Sequence, residues 1–160
     1  MKILVLGATG MAGHVITTHL CERCKDVTAF SRRPFPYCEN IIGDAEDFYY
    51  LRKIISENNF DVIVNAVGLL AKDSEKNKSN AVLTNSYLPH FLSNLPPKII
   101  HLSTDCVFSG SRGNYKENDL RDGEIFYDRS KSLGELNNGR DLTLRQSIIG
   151  PDINENGIGL

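Results

Sequence analysis

The sequence predicts a doubly wound parallel α/β sheet, on three observations. The chain opens on an unbroken apolar run, Ile3-Leu4-Val5-Leu6, as expected of a parallel strand buried on both faces. Three glycines, Gly7, Gly10 and Gly13, follow at G-x-x-G-x-x-G spacing, and Ala12, Val15, Ile16, His19 and Leu20 then recur at helical spacing. From there on, short apolar runs alternate with helix-period segments. Such alternation builds parallel strands joined by right-handed crossovers, with the strand order 3-2-1-4-5-6.

Taken in order, Val27 to Phe30 reads as the second strand, and Ile41-Ile42 as a short third. Phe48, Leu51, Ile54 and Ile55 mark a helix with Asp44 as its N-cap and Asp47 three residues on. Val62 to Val64 is the fourth strand. Lys72 to Ser79 is polar and reads as a surface loop, leading into a helix from Asn80 to Asn94 that Pro89 should kink. Ile99, Ile100 and Leu102 make the fifth strand, and Ser109 to Glu124 a long Gly-, Ser- and charge-rich loop of the kind that often carries function. A helix from Phe126 to Leu136 and a sixth strand, Leu142 to Leu144, complete the pattern. Residues Ile148 to Leu160 trail off in Gly, Pro and Asn.

The length of 160 residues suits one domain. With 18 basic and 20 acidic residues the net charge is −2, which gives no reason to expect nucleic acid or an acidic membrane as partner. No leader segment and no apolar run of membrane-spanning length is present, so a cytoplasmic protein is expected. The four cysteines are Cys21, Cys24, Cys38 and Cys106. Cys21 and Cys24 form a C-x-x-C with no second ligand pair nearby, which favours free thiols over metal or redox chemistry.

The strand–glycine turn–helix at the N-terminus is the context that gives a glycine motif meaning. Gly7 allows the turn, Gly10 the approach of a pyrophosphate, and Gly13 close helix–strand packing, with Thr9 and Met11 between them, which is the dinucleotide-binding (Rossmann) arrangement. A cofactor with a free ribose 2′-OH usually meets an acid at the tip of the second strand. That tip reads Ser31-Arg32-Arg33, with no acid and two guanidinium groups suited to a 2′-phosphate, so NADP(H) is favoured over NAD(H). The alternative is a solvated basic turn before Pro34. Asp44 lies where an adenine could sit, although a helix cap is the favoured reading, and Ala66-Val67-Gly68 after the fourth strand leaves room for the ribose.

Ser103-Thr104-Asp105 closes the fifth strand at the carboxyl edge, where ligands bind in such sheets. Tyr127 and Lys131, four apart, share one face of the next helix. Carbonyl reduction needs a hydride, a proton donor and a group that polarises the oxygen. Tyr127 can give the proton, Lys131 can lower its pKa and bond the nicotinamide ribose, and Thr104 can donate to the substrate oxygen.

GATGMAGH, Ser103-Thr104-Asp105 with Val107-Phe108-Ser109-Gly110, and Tyr127-Asp128-Arg129-Ser130-Lys131 with Gly134-Glu135 together resemble the extended short-chain dehydrogenase/reductase superfamily. STDCVFSGSRGNYKEND followed by YDRSKSLGE is similar to the dTDP-4-dehydrorhamnose reductases and related nucleotide-sugar reductases. The resemblance implies a catalytic triad of Thr104, Tyr127 and Lys131, an NADP(H) cofactor, a nucleotide-sugar substrate and a place in cell-surface polysaccharide precursor synthesis. It also implies that Gln146, Ser147 and Ile148 lie near the nicotinamide, that Arg145 is the arginine commonly ending the sixth strand, and that Asn85 supports the active site rather than lying on a helix surface. Cys106 stands where the subfamily usually has Tyr. Epimerase or dehydratase chemistry on the same scaffold, and a non-catalytic NADP(H)-binding regulatory subunit, are the competing readings; Arg32-Arg33 oppose the first and the intact triad the second.

Family chains continue beyond this length into a C-terminal region that forms the sugar-nucleotide site. The resemblance therefore implies an N-terminal cofactor-binding part, inactive or very slow alone. Loose packing is expected from Pro151 onward, as is apolar surface that would favour self-association into a homo-oligomer.

Overall fold

The computed structural model describes residues 1–24 and 26–149. Six strands, β1 (Ile3–Leu6), β2 (Val27–Ser31), β3 (Glu39–Ile42), β4 (Val62–Asn65), β5 (Lys98–Leu102) and β6 (Leu142–Leu144), form one sheet. Its order is β3-β2-β1-β4-β5-β6, and every pairing is parallel. This is the predicted order, with the switch between β1 and β4 at the centre. The expected loose packing from Pro151 falls outside the described residues.

Period-two alternation sends successive side chains to opposite faces. Leu4, Leu6, Ile63 and Ile99 point to one face, where they meet Leu51, Ile54 and Ile55 of α2 (Phe48–Asn58) and Leu88, Phe91 and Leu92 of α5 (Leu88–Ser93). Ile3, Val5, Val27 and Val64 point to the other, beneath Ile16 and Leu20 of α1 (Met11–Arg23). Burial on both faces explains why the central strands read as continuous apolar runs rather than as alternating ones.

Four expectations need correction. The N-cap of α2 is Asp47, whose side chain accepts the Tyr50 amide at 2.9 Å, whereas Asp44 forms a local turn with the Glu46 amide at 3.0 Å. The polar stretch read as a loop contains a helix, α3 (Ala71–Lys76), whose buried Ser74 donates to the Leu69 carbonyl at 3.2 Å. A polar surface face thus hid a helix anchored by the Ser74 hydroxyl and by Glu75, whose carboxylate accepts the Phe126 amide at 2.7 Å. The helix carrying Pro89 is not one continuous α-helix. It runs as α4 (Lys78–Ala81), a π-helical turn (Val82–Tyr87) and α5. A proline clashes with the carbonyl four residues back, and here that carbonyl belongs to Asn85, inside the wider turn. The last helix, α6 (Phe126–Leu133), ends three residues earlier than expected, because Gly134 caps it.

Candidate active site

The predicted residues converge on the carboxyl edge of the sheet. Gly7 leaves β1 at φ +81°, in the left-handed region that suits glycine. A Cβ on Gly13 would lie 2.0 Å from the Gly7 carbonyl oxygen, so only a hydrogen there lets α1 close against the turn. The N-cap of α1 is Gly10; no side chain caps the helix, and its first turn carries no acid. Those amides have no intrahelical partner, and the helix end is positive, which fits a pyrophosphate. Thr9 and Met11 flank the exposed Gly10.

Arg32 and Arg33 stand exposed just past β2, and among the described residues neither forms an ion pair. Their turn is shaped from within. Ser31 Oγ donates to the Arg33 carbonyl at 2.7 Å, and Asn40 Oδ1 accepts the Phe35 amide at 2.9 Å. Asp44 is exposed at the end of β3, on the same edge.

The β4 exit, Asn65 to Gly68, is clamped by two buried asparagines. Asn65 Oδ1 accepts the Val67 amide at 3.1 Å, and its Nδ2 donates to Nδ1 of His101, on β5, at 3.2 Å. Asn85 Oδ1 accepts the Leu69 amide at 2.8 Å, while its Nδ2 faces the Leu69 carbonyl at 3.1 Å and Ser130 Oγ at 3.1 Å. Asn85 is fully buried, which removes the helix-surface reading. A Cβ on Gly68 would lie 3.8 Å from Lys131 Nζ, so Ala66-Val67-Gly68 crosses beside the lysine.

Thr104 is buried at the end of β5, where its Oγ1 accepts the Cys106 amide at 3.2 Å. Lys131 is also buried, and its Nζ donates to the Leu102 carbonyl at 2.6 Å. Burial pulls the ammonium down to about 8, opposed by the charge of Glu135. The Tyr127 phenol lies above its ordinary value because burial raises it, with a hydrogen bond to Thr104 acting the other way. The lowering of Tyr127 by Lys131 expected from the sequence is not seen in this structure, where desolvation of the phenol is the largest influence.

Two residues that spacing did not single out organise this end. Glu135 accepts Ser103 Oγ at 2.8 Å, Arg121 at 2.8 Å, and Arg145 through both oxygens at 2.7 and 2.8 Å. Burial would raise its carboxyl, but the hydrogen bonds from Arg145, Arg121 and Ser103 win and hold it below the ordinary value. His101 is fully buried, and its Nε2 has no partner among the described residues; burial, with Lys131 next, keeps it neutral. In the sequence Glu135 enters only as part of the Gly134-Glu135 match, and His101 carries no signal beyond a polar residue in an apolar strand.

Beyond β6, Ser147 Oγ donates to Asp105 Oδ2 at 2.5 Å, tying the β6 exit to the β5 exit, with Gln146 and Ile148 half-buried on either side. Next to this seam lies a cleft of about 490 Å³ lined by Asp105, Cys106, Phe108, Tyr115, Lys116 and Arg145, among others. Phe108 and Tyr115 stack at 4.5 Å between centroids. Arg145 lies over the Phe108 ring at 5.0 Å and Arg112 over the Tyr115 ring at 4.9 Å. That four-layer stack gives the long loop a fixed shape beside Thr104.

Comparison with known proteins agrees with this geometry. Residues 1–147 match the family model described as the RmlD substrate binding domain. The chain is 30% identical over 142 residues to a probable dTDP-4,6-dihydroxy-2-methyloxan-3-one 4-ketoreductase of Streptomyces antibioticus, covering 84% of this chain and 45% of that protein. It is 31% identical over 138 residues to a dTDP-4-dehydrorhamnose reductase of Streptomyces griseus, covering 82% and 43%. A solved structure described as a hypothetical dTDP-4-dehydrorhamnose reductase from Sulfolobus tokodaii superposes with a TM-score of 0.75 at 29% identity, covering 84% of this chain and 50% of the other. The chain thus spans about half the length of these relatives. With its parallel sheet, its glycine turn and a matched segment reaching past β6, the chain belongs to the RmlD substrate-binding-domain family of extended short-chain dehydrogenase/reductases.

Proposed function

We propose that this chain is the cofactor-binding part of an NADP(H)-dependent reductase acting on a 4-keto nucleotide sugar, in the supply of precursors for cell-surface polysaccharide. The observation that carries the reading is the convergence at one sheet edge. An uncapped helix N-terminus, two arginines with no ion-pair partner among the described residues, and the Thr104–Tyr127–Lys131 group lie along it. The relatives' printed activities are reductions of dTDP-linked keto sugars, and that likeness supports the substrate class.

When bound, the nicotinamide supplies the hydride. The chain's own residues do the rest. The amides at the start of α1 hold the pyrophosphate, and Arg32 and Arg33 pair with the 2′-phosphate. Lys131, beside Ala66-Val67-Gly68, bonds the nicotinamide ribose. Thr104 donates to the substrate carbonyl oxygen, and Tyr127 delivers the proton to it. A phenol raised by burial stays protonated at neutral pH, so in this state Tyr127 is an acid that is ready to donate. Asp44 provides an adenine-side contact, and Gln146, Ser147 and Ile148 border the nicotinamide end.

The walls that enclose a sugar nucleotide would come from the half of the relatives that this chain does not match. Exclusion of water and fixed orientation need such walls, so the 160 residues alone should bind the cofactor and reduce sugars very slowly. Two measurements test the reading: NADPH absorbance with a panel of nucleotide 4-keto sugars, and the same assay on Tyr127→Phe in the longer protein. The phenylalanine variant should lose about 10²–10⁴ in rate with NADPH affinity intact. Unchanged turnover would remove Tyr127 from its role.

A further inference from the structure

Among the buried polar groups at this sheet edge, His101 takes no part in the proposed chemistry. It lies on β5 between Ile100 and Leu102, and the parallel register sets it directly beside Asn65 of β4. Both side chains are fully buried. A buried imidazole with one nitrogen lacking a partner among the described residues costs stability, so packing alone does not account for it. Its other nitrogen, Nδ1, faces the Asn65 amide at 3.2 Å. The direction of that bond follows from Val67. A backbone amide can only donate, and the Val67 amide is met by Asn65 Oδ1 at 3.1 Å. Asn65 therefore turns its NH2 toward His101, and Nδ1 must accept it through a lone pair, with the ring proton on Nε2. Burial, then the charge of Lys131 and that of His90, keep the ring neutral and that lone pair free.

The Asn65–Val67 bond matters because of where the backbone goes next. A Cβ on Gly7 would lie 3.1 Å from the Ala66 carbonyl oxygen and 3.2 Å from Val67 Cγ2, so the β4 exit packs against the glycine turn. One residue on, a Cβ on Gly68 would lie 3.8 Å from Lys131 Nζ, and the Leu69 amide is held by Asn85. The exit thus spans from the glycine turn to Lys131, with one buried asparagine on each side of Gly68. Asn85 is oriented by Ser130 and the Leu69 carbonyl, and Asn65 by His101. We propose that His101 is a positioning residue: its Nδ1 lone pair fixes which way the Asn65 amide faces, and so sets the Val67–Gly68 backbone on which the nicotinamide ribose rests beside Lys131. The ribose contact rests on the function proposed above, whereas the orientation of Asn65 does not. Without that acceptor the Asn65 amide is free to turn over, and the Val67 amide then loses its partner.

The test uses the 160-residue chain labelled with nitrogen-15. Long-range imidazole spectra of the natural chain at pH 7 should show a lone pair on His101 Nδ1 and the proton on Nε2. A proton on Nδ1 overturns the proposal, and no variant has to fold for that result. In His101→Leu the Val67 amide should exchange with solvent about 10-fold faster, while the Ala66 amide, bonded to the Leu6 carbonyl at 3.0 Å, keeps its rate. His101→Asn can place an amide oxygen where Nδ1 stands and should restore Val67. A ring that only fills space predicts the reverse order, because leucine replaces more of its volume. Unchanged exchange at Val67 in the leucine variant, or equal acceleration at Ala66 and Val67, overturns the proposal. In an Asn65→Ala background His101→Leu should add nothing at Val67, and a further increase overturns it too. Calorimetric titration with NADPH should show affinity about 10-fold weaker in His101→Leu and recovered in His101→Asn. Unchanged NADPH affinity beside faster Val67 exchange would overturn the link to the cofactor. A natural chain that binds no NADPH would count against the proposed function, while the imidazole and exchange measurements still decide the role of His101 toward Asn65.

Discussion

The two ends of the candidate site are built from different materials. The β1–β2 end is mostly backbone: a glycine turn, an uncapped helix start and two exposed arginines. The β4–β6 end is built from buried side chains: Asn65 pairs with His101, Asn85 with the Leu69 amide and Ser130, Lys131 with the Leu102 carbonyl, and Glu135 with Ser103, Arg121 and Arg145, at the exits of three strands. A backbone site is set by where side chains are absent, so it is cheap to form and depends on a few glycines. A buried polar network costs stability unless every member is satisfied. Substitutions should therefore separate the two ends by what they damage.

The largest effect is expected at Glu135. Removing its carboxylate in Glu135→Ala leaves Ser103, Arg121 and Arg145 without their common acceptor. The cost should be about 2–4 kcal/mol, below that of a fully buried pair because both arginines reach solvent. Chemical denaturation measures it. A loss under 1 kcal/mol would mean that the network is not what holds the β5 and β6 exits.

Gly13→Ala probes the backbone end. Its Cβ would overlap the Gly7 carbonyl, so α1 must move away from the turn. About 2–3 kcal/mol of stability should go, and NADPH binding should fall far more steeply than stability. Intact binding would show that the turn tolerates a methyl group, and the backbone account of this end would be wrong.

Lys131→Met should act in the opposite direction. Lys131 sits at about 8 in the folded chain against an ordinary 10.5. Between those values the unfolded state holds a proton that the folded state has released, so the wild-type fold gains stability as pH rises through that window. Below pH 8 the buried charge is a full cost. The methionine variant should thus be about 1–3 kcal/mol more stable at pH 7, with the advantage vanishing above pH 10.5. Thermal melts at pH 7 and above pH 10.5 decide it. A destabilised variant at pH 7 would show that the hydrogen bond to Leu102 outweighs desolvation.

The same division explains what could be read in the sequence. Ile3 to Leu6 and the three glycines are local: spacing alone marks a buried strand, a turn and a helix start, and the sheet order followed from the alternation. Tyr127 and Lys131 were also legible, because four residues make one helical turn. His101 was not, since a histidine in the run KIIHL shows nothing of Asn65 lying beside it in the neighbouring strand. Nor could the sequence show that Asp47 rather than Asp44 caps α2, because both are acids within one turn of the first helical residue. The π-helical turn was missed because proline marks a disturbance without fixing where the helix absorbs it.

The smallest effect on the fold, and the sharpest on function, belongs to Arg32 and Arg33. Both are exposed, so Arg32→Ala with Arg33→Ala should change stability by less than about 0.5 kcal/mol. The decisive measurement is calorimetric titration of this chain and that double variant with NADPH and with NADH. The account predicts tighter binding of NADPH by the natural chain, and a loss of about 1–3 kcal/mol, roughly 5- to 150-fold, for NADPH alone in the variant. Equal affinities for the two cofactors, or no binding of either, would contradict it.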